Sequence, residues 1–178
     1  MESNMNCFWG SNNRRAVYIP VSGTITQMQR MAVNGNGYGG CTKKITVEDE
    51  NGVITNFFIN PSTYVVGYET LYEGLPVTVF YNGNLPAPMI YPPQYMAAVV
   101  AVQMEGQMVA VGYFARNLLA ADQSLQLNLD ANTEVVTANN QLFLGNPGGH
   151  TLVVLYNQTT RSIPPQTTPE KIVVLCGR

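Results

Sequence analysis

The chain repeats itself, and this internal similarity constrains its fold more than any other feature. Four blocks recur in the same order along the 178 residues, with short gaps between them. They pair FFINPSTYVV (57–66) with LQLNLDANTEVV (125–136), VTVFYN (77–82) with LVVLYN (152–157), PPQ (92–94) with PPQ (164–166), and AAVVAV (97–102) with KIVVLC (171–176). This order predicts a duplicated unit of about 75 residues, within the size range of a small independent domain.

Every recurring block has the character of a β-strand. SLQLNL (124–129) alternates apolar and polar residues, which is typical of a strand with one solvent-facing side. VTVFY and LVVLY are β-branched and aromatic runs of strand length, and Asn51-Gly52 between two strand-like runs predicts a hairpin. Helical spacing of apolar residues is confined to YFARNLLAAD (113–122), a candidate for one short helix.

We therefore expect an all-β chain of two tandem units with about five strands each. An N-terminal arm spans residues 1–15, the first unit residues 16–105 and the second residues 106–178. The expected strands are 16–29, 43–49, 53–60, 76–82 and 97–104 in the first unit, and 107–117, 124–130, 134–137, 151–157 and 171–176 in the second. Short antiparallel strands in so small a unit bury their edges best when the sheet curls into a barrel.

The pattern resembles that of uncharacterised bacterial proteins with two tandem OB-fold-like β-barrel repeats. The resemblance covers nearly the whole chain. It implies two small OB-like barrels and carries no assigned chemistry to this sequence.

The repeated PPQ segments predict a structural corner before the last strand of each unit. Prolines cannot donate ladder hydrogen bonds, so they end strand pairing and hold the connection extended. The flanking Tyr91 and Tyr95 do not recur, since the second unit has Ser162-Ile163 and Thr167 instead. We expect the prolines to be scaffold and any function to lie in the tyrosines.

The candidate ligand-binding residues are therefore Tyr81, Tyr91 and Tyr95 around the first loop, with Arg161 in the equivalent loop of the second unit. OB-like barrels bind oligonucleotides or oligosaccharides through one sheet face and the adjoining loops. Bases or sugars could stack on these rings. In the alternative interpretation, the tyrosines pack the barrel ends or the interface between units.

Composition limits the partners that such a surface could bind. Hydrophobic residues make up 46% and charged residues 11%, with a net charge of −2. This balance disfavours general nucleic-acid binding, which needs a dense positive field. No apolar run is long enough to cross a membrane, and the N-terminus lacks a signal-peptide core. With three cysteines in no CxxC pair, we expect reduced thiols and a cytoplasmic location.

No motif predicts catalysis, a metal or a cofactor. NGNGYGGC (34–41) contains a formal GxGxxG, but a β-branched run follows it where a helix is required, so a turn is favoured. The acidic cluster Glu48–Glu50 precedes a hairpin turn and offers too few ligands for calcium. The single histidine, His150, has no nucleophile beside it, and Cys41 has no second thiol or histidine.

These observations favour a non-catalytic binding or structural module that associates with a protein partner or with copies of itself. The alternative is an OB-like protein that binds single-stranded nucleic acid or oligosaccharide. A cysteine- or metal-dependent enzyme is a third, weaker interpretation. Salt dependence separates the first two, because binding to a phosphate backbone weakens steeply with salt.

Overall fold

The computed structural model describes residues 15–31 and 40–177, and this part of the chain is all-β. Its regular elements are strands and one short 3₁₀ turn at Val66–Tyr68. The strands are β1 (Tyr18–Arg30), β2 (Lys43–Glu48), β3 (Ile54–Ile59), β4 (Tyr64–Val65), β5 (Pro76–Asn82), β6 (Gln94–Val102), β7 (Met108–Phe114), β8 (Gln126–Leu127), β9 (Glu134–Thr137), β10 (His150–Tyr156), β11 (Gln166–Thr167) and β12 (Lys171–Leu175). The expected fold class is confirmed at this level.

In the first half of the chain, residues 16–105, the described strands form one sheet. Strands β1, β2 and β3 follow one another as antiparallel neighbours, and β1 also pairs with β5. Strand β5 pairs with β6, which in turn pairs in parallel with β3 and with β4. The pairings therefore run β1–β2–β3–β6–β5 and return to β1.

The second half, residues 106–178, has the sheet order β7-β10-β12-β9, with β8 and β11 as a separate parallel pair. Strand β7 is followed by two isolated bridges, Phe114–Ala120 and Leu119–Gln126. Strand β1, by contrast, is the first strand of the β1–β2–β3 meander.

The two PPQ segments make corresponding hydrogen bonds. The backbone N–H of Asn56 donates to the carbonyl of Pro93, and that of Gln126 donates to the carbonyl of Pro165, both at 2.9 Å. In each segment the first proline follows a cis peptide bond. Each PPQ thus enters its strand, β6 or β11, beside a parallel neighbour.

The described residues form three buried apolar clusters. One lies inside the first half around Phe57 and Val79, and another inside the second half around Phe114 and Leu152. The third, which we call the seam cluster, joins the halves and consists of Tyr64, Phe80, Val99, Val136, Val153, Leu155, Val173 and Leu175. Strands β5, β6, β10 and β12 are therefore buried on both faces, which explains their continuous apolar sequences.

Several expectations from the sequence need correction or fall outside the described residues. The short helix at 113–122 is wrong: β7 ends at Phe114 and a turn follows, with Leu118 N–H donating to the Ala115 carbonyl. The strand expected at 124–130 is reduced to Gln126–Leu127. Most of the expected arm, residues 1–14 with Cys7, Phe8 and Trp9, lies outside the described residues, as do residues 32–39 of the glycine-rich segment.

None of the helical turns in the described residues is long and apolar enough to span a membrane.

Candidate contact surface at the proline corners

The loop between β5 and β6 is anchored at its start and stiffened by prolines. Gly83 N–H donates to the Val17 carbonyl at 2.8 Å, and Asn84 Nδ2 donates to the Arg15 carbonyl at 2.7 Å. Pro86, Pro88, Pro92 and Pro93 restrict the remaining backbone. The loop nevertheless exposes four large apolar side chains, Leu85, Met89, Ile90 and Tyr91.

Tyr81 and Tyr95 lie together at the base of this loop. Their rings are stacked with centroids 3.9 Å apart and planes 13° apart, and both rings lie about 6 Å from that of Phe57. Both side chains are half-buried and pack against the core cluster of the first half. Burial, followed by a side-chain hydrogen bond with Tyr95, raises the pKa of Tyr81. One face of each ring is therefore already covered by the other tyrosine.

Tyr91 is in a different environment from these two rings. Its side chain is 83% exposed, and among the described residues no aromatic ring stacks on it. The corresponding residue before the second cis-proline, Ile163, is 99% exposed. Arg161 is also exposed, two residues earlier in the same loop. The structure therefore brings Tyr81 and Tyr95 together and leaves Tyr91 and Arg161 facing solvent.

Of the other residues considered from the sequence, Asp49 and His150 have structural partners. Asp49 Oδ1 accepts hydrogen bonds from the backbone N–H groups of Asn51 and Val53, both at 2.8 Å, so this carboxylate organises the hairpin turn. His150 Nδ1 lies 3.2 Å from the Pro147 carbonyl, and its ring packs edge-on against Phe143. Cys41 is exposed. Within residues 15–31 and 40–177, no cluster of His, Cys, Asp and Glu could hold a metal ion.

Among the described residues, one cavity of about 470 Å³ lies beside the acidic hairpin at residues 48–51, and three others, also away from the proline corners, combine residues that are far apart in the chain. One of about 320 Å³ lies between residues 15–18 and β7, where the Arg15 guanidinium sits 4.3 Å from the centre of the Tyr113 ring. The other two, of about 350 and 470 Å³, border the connector between β6 and β7. Sequence reasoning missed all three, because their walls combine residues far apart in the chain and no local motif marks them.

Comparisons with known proteins identify no family for this chain. A scan against protein-family models, a search of curated proteins and a search of solved structures each gave no match. The class of protein is therefore defined by its all-β architecture alone.

Proposed function

We propose that this chain is a non-catalytic contact module that binds protein surfaces, copies of itself above all, through its proline corners. In this proposal the two halves are copies of one five-stranded, OB-like barrel unit. The corners supply the contact side chains, and the paired sheets hold the corners in place.

Corresponding backbone contacts support the duplication. Gly74 N–H donates to the Ile25 carbonyl at 2.7 Å, and Gly149 N–H donates to the Phe114 carbonyl at 2.8 Å. In the first half, the return of the strand pairing to β1 is the connectivity that closure of a barrel requires.

The observation that carries the contact function is the ordered apolar loop between β5 and β6. Four large apolar side chains face water on a backbone that hydrogen bonds and prolines already restrict. Contiguous exposed apolar groups mark interaction sites. A restricted loop also loses little conformational entropy on binding, which favours association. The second corner presents Ile163 and Arg161 in the same way.

Sedimentation velocity of the full chain over a range of concentrations tests this function. The loop variant replaces four residues by serine: Leu85→Ser, Met89→Ser, Ile90→Ser and Tyr91→Ser. A matched control replaces four exposed apolar residues elsewhere: Val53→Ser, Tyr72→Ser, Leu142→Ser and Leu144→Ser. We expect the wild type and the control to gain mass with concentration, whereas the loop variant stays monomeric.

Equal sedimentation of the wild type and the loop variant at every concentration would overturn the proposal, whether both assemble or both stay monomeric. Urea melts of the three proteins show whether each is folded. Because all the substituted side chains are exposed, we expect each single change to alter the free energy of unfolding by no more than about 0.5 kcal/mol.

A further inference from the structure

Two of the cavities lie along the seam between the halves, on the connector that joins β6 to β7. The first has a volume of about 350 Å³ and is walled by Tyr64 and Tyr68. The second, of about 470 Å³, is walled by Thr78 and Tyr156. Val102, Met104 and Gln107 line both. Both volumes fall in the range of small-molecule sites, which often lie between domains.

The Tyr68 ring is held in place across the seam. Its hydroxyl donates a hydrogen bond to the carbonyl of Ala138 in the other half, and its ring packs edge-on against Tyr64 with centroids 6.2 Å apart. Tyr68 has a φ of 57°, in the left-handed region that non-glycine residues rarely adopt. Asn140, in the same cavity wall, has a φ of 62°. Such backbone strain persists only where surrounding contacts fix it.

The polar groups facing these cavities are mainly neutral. Gln107 is half-buried, and its side-chain amide has no hydrogen-bond partner among the described residues. Asn140 also lines the first cavity; its Oδ1 accepts a hydrogen bond from Lys171 Nζ at 3.3 Å, so its amide N–H groups are not used in this contact. Tyr156 is among the residues that line the second cavity, and Glu69 is among those that line the first.

Charge decides which class of ligand fits this wall. Lys171 is the one cation among the residues lining the two cavities, and it forms an ion pair with Glu134 at 3.2 Å. A phosphate backbone would therefore find no free positive charge. A ligand rich in hydroxyl groups, with an apolar ring face, would match both the amides and the exposed Tyr68 ring. We infer that the seam binds a short neutral oligosaccharide, with one sugar ring against Tyr68 and sugar hydroxyls on Gln107 and Asn140.

Isothermal titration of the full chain with defined probes tests this site. The probes are four neutral trisaccharides (cellotriose, maltotriose, chitotriose and mannotriose) and one charged strand, oligothymidylate. We expect saturable binding of at least one trisaccharide and none of oligothymidylate. Tyr68→Ala removes the stacking ring and should weaken trisaccharide binding by at least about tenfold, whereas Tyr68→Phe keeps the ring and should retain most of the affinity.

Tyr72→Ala is the matched control, because Tyr72 is 59% exposed and Tyr68 is 58% exposed, yet Tyr72 is not part of either cavity wall. Its affinity for the trisaccharide should equal that of the wild type. The inference is wrong if none of the trisaccharides binds, if Tyr68→Ala and Tyr72→Ala bind equally, or if oligothymidylate binds in their place. Such a failure would leave the contact function intact, since the corner residues do not line the seam cavities.

Discussion

Tyr91 and Tyr95 lie four positions apart and have opposite environments. Tyr91 faces solvent at the corner, whereas Tyr95 stacks on Tyr81 and packs against the first core cluster. The two prolines between them separate a loop side chain from a strand side chain, because β6 begins at Gln94. The sequence predicted them as members of one site, since composition alone does not distinguish a ring that stacks on a ligand from one that packs.

Single substitutions should separate the two roles. Tyr95→Ala removes a half-buried ring and should lower the free energy of unfolding by about 2 kcal/mol, less than the 3–5 kcal/mol typical of a fully buried aromatic residue. Tyr91→Ala should change it by no more than about 0.5 kcal/mol, because the ring touches mainly water. Urea denaturation of the two variants measures both effects. Equal losses would contradict the difference in packing.

At the scale of elements, the longer strands could be predicted from the sequence because their side-chain pattern is local. Strands β2, β3 and β5 lie within two residues of their expected ends. The two-residue strands β4 and β11 could not, since they exist only through pairing with distant segments, and β8 is much shorter than the strand expected at 124–130. The helix expected at 113–122 is also absent because of pairing that the local pattern does not show. The apolar spacing there suggests a helical face, but bridges from Phe114 to Ala120 and from Leu119 to Gln126 hold the backbone in a turn.

One glycine in the first strand of each half shows how the surroundings of the two strands differ. Gly23 in β1 is opposite Val77, and Gly112 in β7 is opposite Leu152. A Cβ at position 23 would lie 2.7 Å from the carbonyl carbon of Glu48, in the neighbouring strand β2. A Cβ at position 112 would meet nothing within 4 Å, and β7 is an edge strand of its sheet.

The two Gly→Ala variants should therefore behave differently. Gly23→Ala forces β1 and β2 apart and should destabilise the protein by about 1–3 kcal/mol. Gly112→Ala restricts the unfolded chain without a clash and should be neutral or stabilising by up to about 1 kcal/mol. Thermal melts of both variants provide the comparison. Equal shifts of the melting temperature would show that the β1–β2 approach is not what requires glycine at position 23.

At the scale of the whole molecule, the seam cluster joins the halves and shapes the cavities beside it. Apart from β4, which contributes Tyr64, the strands that form it could be predicted from the sequence, but the seam itself could not. The runs AAVVAV and KIVVLC indicate strands buried on both faces, but they do not indicate which surface covers the second face. That information lies in the contact of Phe80 and Val99 with Val153 and Val173, which are more than 50 positions away in the sequence.

We expect the seam to make the stability of the protein sensitive to alkaline pH. Tyr64 is 8% exposed in the seam cluster. Burial, followed by the neighbouring Tyr68, raises the pKa of Tyr64 from 10.0 to about 12. Burial also raises the pKa of Tyr156, which lines the second seam cavity. Because the folded state holds these phenolic protons more tightly than the unfolded state, the unfolded state ionises first as the pH rises.

The contribution of Tyr64 to stability is fully present below about pH 10 and is lost as the pH rises from about 10 towards about 12. Tyr64→Phe keeps the ring and has no proton to lose, so its free energy of unfolding should fall less steeply than that of the wild type over this range. Urea denaturation at a series of pH values, with each protein referred to its own value at neutral pH, measures the difference. If the free energies of unfolding of the two proteins fall in parallel with pH, the seam does not oppose ionisation of Tyr64. That result would contradict the claim that the halves pack tightly around this residue.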